Sequence, residues 1–399
     1  MKKSFLKLAI IIPIILFFVG ITLQGFLGDF PLQAFKFPIN IIVFADVFIS
    51  SIVLHWLFKN KNFIKFLSSG YAALSSIALF SAMVIIMVST AQENTDNTFI
   101  KFFGFNNVIF TWTYALSSFY LLISLGLATL RRLFPFTTKN IFFYLNHFGF
   151  WLIVAAGSLG QADKQRLNIS VPEGELVWYA HDSKGKYQEP DFAIKLDSFK
   201  IKYYPPKLAI VDIHGNMLKA KEFQPKELIK GEKIKYKAFN IEVLDIYENA
   251  IATKDTVLFV AGLPENTVVA KLKVNNKVLY IQNGTSFHNP ILAKISAKER
   301  LAILSPEPSY FGSYIGLYTK TGIKNEKHLI EVNKPLIMKS WTIYQTSYFK
   351  LDDYSQDVYV SVLTAVYDPW LKIVYLGFAM LVIGVVYLIF SRPSLKIKK

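Results

Sequence analysis

The chain has 399 residues, 53% hydrophobic and 16% aromatic, with no cysteine and a formal net charge of +16. Its mean hydropathy of +0.35 is too high for an ordinary soluble protein, and several apolar runs approach the roughly 20 residues that a bilayer crossing needs. Without cysteine the chain has no disulfide, no thiol redox chemistry and no thiolate metal ligand, so any redox step in its pathway belongs to another protein.

The charge is arranged as a topology signal. Thirteen of the 44 Lys+Arg lie in four short segments free of acids: Lys2, Lys3 and Lys7; Lys59, Lys61 and Lys65; Arg131, Arg132 and Lys139; Arg392, Lys396, Lys398 and Lys399. Residues 163–368 hold 28 basic and 24 acidic residues and are close to balance. Such a distribution marks membrane orientation rather than a nucleic-acid surface, and no nucleic-acid partner is expected.

In chain order the apolar runs predict six spans, at 5–27, 38–58, 66–89, 108–130, 141–162 and 370–391. The first has a basic start like a signal peptide. It lacks an A-x-A-type cleavage site and runs straight into the second span, so a retained helix is expected. The positive-inside rule then puts both termini and the loops 59–65 and 131–140 in the cytoplasm. The loops 28–37 and 90–107 and the segment 163–368 fall outside. Ser68, Gly70, Ala72, Ser75 and Ser76 in the third span, and Ala155, Ala156, Gly157 and Gly160 in the fifth, are small enough for close helix packing. The first five spans are expected to form one bundle.

Residues 163–368 are long enough for their own core and read as strands. Phe192, Ile194 and Leu196 alternate with polar neighbours, and after Asp197 and Ser198 so do Phe199, Ile201 and Tyr203. Further strand candidates are LAIVDI, FNIEVLDIY, TVLFVAG, VVAKLKV, KVLYIQ, WTIYQTSYF and VYVSVLTAVY, with turn signals at His214-Gly215-Asn216, Asn275-Asn276 and Asn283-Gly284. The expected fold is a polytopic α-helical membrane protein of six spans, with a large, mostly antiparallel β domain outside the cytoplasm inserted before the last span. The expected parts are a five-span bundle (1–162), the β domain (163–368), and a final span with a basic cytoplasmic tail (369–399). Trp341, Tyr344, Tyr348 and Trp370 are expected to form an interfacial aromatic belt, and Asp368 to couple the last strand to the final helix.

Enzyme signatures are missing: there is no P-loop, G-x-S-x-G, H-E-x-x-H or C-x-x-C. No catalytic residue is assigned. The spans hold only Asp46 and, at an edge, Lys372, fewer charges than an ion-coupled transporter usually needs. His147, about six residues into the fifth span and so roughly 9 Å from its cytoplasmic end, is the sharpest candidate. Neutral imidazole is a good axial ligand for haem iron, and Phe148, Phe150 and Trp151 are candidates for an aromatic lining. The alternative is an interfacial histidine bonding a neighbouring helix or a lipid headgroup. His55, at a comparable depth in the second span, either faces the same site or reaches water. Asp46 is expected to bond a Ser or Tyr of another helix. His181, His214, His288 and His328 have no metal-ligand spacing and read as surface residues.

From 66 to 391 the order of motifs resembles the ResB/CcsB family of system II cytochrome c biogenesis, in an elongated variant with two extra N-terminal spans. The resemblance rests on a span ending ATLRRLF, a span starting LNHFGFWLIVAAG, a large domain opening with VPEGE and closing with VNKP, then WTIYQTSYF, then YDPWLKIVYLGFAMLVIG. The chain departs from the family at Ala128-Thr129-Leu130, where a Cys is frequent, and at Phe349, where Asp is frequent. The resemblance implies a subunit of a membrane holocytochrome c synthase that is not an enzyme alone. It implies haem export and attachment to apocytochrome c with a CcsA/ResC-type membrane partner and the thiol-reducing proteins of the pathway. It also implies haem b shared transiently with that partner, with His147 as an axial ligand of the iron, and a place in the bacterial inner membrane with residues 163–368 on the periplasmic side. The rival expectations are a membrane-anchored β-domain scaffold without haem and a small-molecule permease.

Overall fold

The structure is a computed structural model that describes residues 2–391 apart from 93–94, 135, 254–255, 261–262, 264–265, 286–287, 321, 323 and 354–355. The basic tail with Arg392, Lys396, Lys398 and Lys399 lies outside the described residues. The chain forms two compact units, one of residues 1–165, 339–341 and 366–399, the other of residues 166–338 and 342–365.

The first unit holds helices α1 (Lys2–Leu27), α2 (Ile39–Phe58), α3 (Asn62–Leu67), α4 (Gly70–Ser89), α5 (Thr98–Phe102), α6 (Trp112–Leu133), α7 (Ile141–Leu159) and α8 (Leu371–Ser391). Six of them, all but α3 and α5, are long and apolar enough to cross a membrane. Some boundaries differ from the sequence reading. Residues 66–69 belong to α3 and a turn rather than to the third span. The fourth span starts later and continues to Leu133, because Thr111 caps it by accepting from the Tyr114 N–H at 3.2 Å. Arg131 and Arg132 thus sit in its last turn, where cations suit the helix dipole.

α6 is the most buried of the long helices and, with α7, the least apolar. In a membrane bundle this is the expected pairing, since helices buried against protein are held by packing and hydrogen bonds rather than by hydrophobicity. Ser75 Oγ lies 2.7 Å from Tyr120 Oη, Ser124 Oγ donates to the Leu67 carbonyl at 3.0 Å, and the Trp151 indole N–H donates to the Leu122 carbonyl at 3.1 Å. Ala72, Ser75 and Ser76 are buried as expected from their size, whereas Gly70 and Gly157 face open space. The backbones of α7 and α8 approach closely. A Cβ on Gly149 would stand 2.7 Å from the Gly377 carbonyl oxygen, and one on Gly377 2.7 Å from that of Gly149.

The second unit is built of antiparallel sheets. One four-stranded sheet contains Lys207–Asp212 and Glu299–Leu304, and another contains Phe239–Glu248 and Val268–Val274. Alternate residues from both, such as Leu208, Ile210, Leu301 and Ile303 against Ile241, Val243, Ala270 and Leu272, share one core. A six-stranded sheet contains Trp341–Asp353 and Gln356–Tyr367, and a further four-stranded sheet contains Phe192–Tyr203 and Pro308–Thr319. The last two sheets are clasped by a buried polar group: Ser313 Oγ lies 2.6 Å from Gln345 Oε1 and 2.7 Å from Ser361 Oγ. The Gln345 amide donates onward to the Ser347 carbonyl at 2.9 Å. The glutamine of WTIYQTSYF thus serves sheet packing.

The one-residue change of phase after Leu196 has a direct cause. Phe192–Tyr203 is a single strand with a bulge: Ile315 pairs with Leu196 and Tyr314 with Ser198, leaving Asp197 as the extra residue. Asn275 adopts a left-handed φ of 53° in the hairpin between Val274 and Lys277. Asn283-Gly284 is not a hairpin turn; Asn283 is buried, accepts from the Val268 N–H at 2.7 Å and donates to the Asn266 carbonyl at 2.8 Å. The aromatic belt is divided. Trp341 packs on Tyr367 and Trp370 is buried in the first unit, while Tyr348 packs between Phe199 and Phe311 in the second. The Asp368 side chain makes no hydrogen bond or ion pair among the described residues; it is the Asp368 backbone N–H that donates to the Ser340 carbonyl, at 2.9 Å.

Candidate functional site

His147 stands in the second turn of α7, half-buried. Its Nδ1 lies 3.0 Å from the carbonyl oxygen of Phe143, one helical turn earlier. A carbonyl only accepts, so the neutral ring carries its proton on Nδ1 and presents the lone pair on Nε2. The ring also stacks on Phe143, with centroids 3.7 Å apart and planes at 26°. The Arg132 guanidinium sits over that same Phe143 ring, 4.1 Å from its centroid. The imidazole is therefore oriented by its own helix, the arrangement that metal-ligating histidines use to fix tautomer and direction. The ring makes no other hydrogen bond among the described residues.

The aromatic lining differs from the one the sequence suggested. A cavity of about 390 Å³ lies among α2, α6, α7 and α8, and Phe148 and Trp151 wall it, but His147 does not. The cavity face of α7 carries Ile141, Tyr144, Leu145, Phe148 and Trp151. His147 lies at the edge of this face, in the i, i+4 row of Phe143 and Trp151, with its ring stacked on Phe143 rather than turned into the cavity. Phe150 packs against the apolar core of the bundle. The cavity is apolar, and its hydroxyls are already occupied: Ser51 donates to the Val47 carbonyl at 2.8 Å, Thr129 to Leu125 at 2.7 Å and Tyr144 to Arg132 at 2.7 Å. It can hold an apolar group and offers no acid or base. Phe143 and Arg132 are the residues that sequence reading missed; the signal was the spacing of four between Phe143 and His147.

His55 lies on the buried stripe of α2 with Asn40, Val47 and Ser51, and no hydrogen bond or ring contact joins it to His147 among the described residues. Asp46 is exposed and makes no hydrogen bond or ion pair among the described residues, contrary to the expected Ser or Tyr partner. In the β unit His181 sits among Tyr179 and Tyr187, His214 in a turn, and His328 within 3.3 Å of Glu326. No group of three His, Asp or Glu among the described residues is placed to hold a metal.

Asp163, just past α7, is a polar knot that the sequence did not announce. Its carboxylate accepts from the Phe37 N–H at 2.8 Å, the Asn40 amide at 2.7 Å and the Trp370 indole at 2.9 Å. It thereby ties the loop before α2, α2 itself and the start of α8. Burial pushes this carboxyl up, but the three hydrogen bonds and the nearby Lys36 outweigh it and hold it below the usual range.

The β unit has a wider opening of about 730 Å³ with Lys226, Lys233, Lys235 and Lys237 on its rim. Lys226 and Lys233–Tyr236 belong to edge strands of two different sheets. Exposed lysines on open edges are how soluble sheets block edge-to-edge pairing.

No protein-family model matches this chain, and no curated protein matches it.

Proposed function

We propose that this chain is a ResB-like subunit of a membrane cytochrome c synthase, helping to carry haem across the bacterial inner membrane and attach it to apocytochrome c together with a CcsA/ResC-type partner. On this reading both termini are cytoplasmic and residues 163–368 face the periplasm. Haem is cargo rather than a resident cofactor.

The observation that carries the reading is His147. Its Nδ1 is committed to the Phe143 carbonyl, its Nε2 lone pair is left for a metal, and its half-buried ring does not line the neighbouring cavity walled by Phe148 and Trp151. That is half of an axial ligand pair, open to completion by a histidine of a second subunit. Membership of the family rests on the motif order between 66 and 391, and the antiparallel β unit before the last long helix accords with it.

The test is the level of mature cytochrome c in cells that depend on this chain and its partner. His147→Ala is expected to abolish it while leaving both subunits in the membrane. Normal cytochrome c in that variant would favour a scaffold without haem. The permease reading gains nothing from the cavity, whose lining has no charged group.

A further inference from the structure

Asp46 is the single acidic residue within the six long helices. It stands seven residues after the start of α2 and twelve before its end, so roughly 10 Å from one end and roughly 18 Å from the other. The structure gives it no hydrogen bond or ion pair with any described residue. At about 100° per residue, Asp46 lies nearly opposite His55 and away from Asn40, Val47 and Ser51, the stripe that α2 buries. Around it on the exposed face are Ile42, Ile49 and Val53, which are 62%, 55% and 44% exposed.

An apolar helix face with one carboxylate at its centre is poorly suited to lipid. A charged group at the middle of a span disfavours insertion on the order of a hundredfold. Lysine and arginine relieve that cost by reaching along their stems to the headgroups. Aspartate has one methylene and cannot. No described residue supplies a partner, which points to one outside this chain.

We propose that the Ile42–Asp46–Ile49–Val53 face of α2 docks a membrane helix of another polypeptide that carries a lysine or arginine at the depth of Asp46. A second copy of this chain does not meet that requirement. Its cations within the long helices lie toward their ends: Lys2, Lys3 and Lys7 in α1, Arg131 and Arg132 in α6, and Lys372 in α8. The proposal rests on the long helices being membrane spans and is independent of haem.

The chain has no cysteine, so a single Lys61→Cys label can be introduced on the full protein in phosphatidylcholine vesicles. Energy transfer is measured to a synthetic polyleucine membrane helix with one central lysine and to the same helix with a central leucine. The lysine helix is expected to associate at least about tenfold more tightly with the wild type. Asp46→Asn and Asp46→Leu are expected to bring it down to the level of the leucine helix. Equal association of the two helices with the wild type would overturn the proposal, as would an unchanged preference in Asp46→Leu. Disulfide trapping of two copies through Ile49→Cys in native membranes would assign the face to a homodimer instead. Release of the chain from native membranes by alkaline carbonate would overturn the membrane reading itself, and with it the proposal.

Discussion

Asp163 shows how much one carboxylate can organise. It accepts hydrogen bonds from Asn40 and Trp370, both buried, and from the Phe37 N–H. Asp163→Ala leaves the Asn40 amide and the Trp370 indole without acceptors, at a cost of about 1–3 kcal/mol for each buried donor. Thermal unfolding in detergent should show the loss, with Asp163→Asn closer to the wild type than Asp163→Ala. The pH dependence has a definite sign. The folded group titrates below its ordinary value, so its contribution is complete above the unfolded value of about 3.9 and is lost as pH falls through the folded one. The acid limb of stability should therefore flatten in Asp163→Asn. His147 belongs to the same scale, because its direction is set by one carbonyl and one ring. Phe143→Ala removes the stacked ring but keeps the carbonyl, so the imidazole keeps its tautomer and loses its rigidity. Any haem held there should be bound about 10–100-fold more weakly, read from haem titration of the purified protein.

Among the elements, α7 and α8 make the sharpest prediction. Gly149→Ala places a methyl against the Gly377 carbonyl oxygen and forces the helices apart, at a cost of about 1–3 kcal/mol. Gly157→Ala, on the same helix with nothing within 4 Å of the added carbon, should be neutral or slightly stabilising. If both variants melt alike, the close approach is not holding the pair together. In the β unit, Gln345→Leu removes the acceptor that the buried Ser313 and Ser361 hydroxyls share and leaves them only each other, so one hydroxyl proton loses its partner. It should destabilise by about 1–3 kcal/mol in chemical denaturation. Asp368→Ala, by contrast, keeps the backbone N–H that bonds Ser340 and should stay within about 0.5 kcal/mol of the wild type. The sequence pointed to Asp368 because it precedes a proline at the strand-to-helix join. The structure gives that role to the backbone.

For the molecule as a whole, what could be read in advance was what repeats along the chain. Apolar runs of about twenty residues announced the long helices, and alternation announced strands, including the phase change that became the bulge at Asp197. The unread features join distant residues. Gly149 meets Gly377, Asp163 meets Asn40 and Trp370, and Gln345 meets Ser313. None of these pairs has a local signature. Pro308–Thr319 also went unread, because Gly312 and Gly316 interrupt its alternation. At the candidate site His147 stood out for its depth in a long apolar helix, while its supports Phe143 and Arg132 did not, and the neighbouring aromatics Phe148 and Trp151 turned out to wall a cavity that His147 does not line. The most direct test of haem binding at α7 is the absorption spectrum of the detergent-purified protein, co-expressed with the proposed CcsA/ResC-type partner, as wild type and His147→Gly, the latter with and without added imidazole. The predicted result is a Soret band in the wild type, its loss in His147→Gly and its return with imidazole. An intact complex without a Soret band in the wild type, or a band unchanged by His147→Gly, would contradict haem ligation by His147.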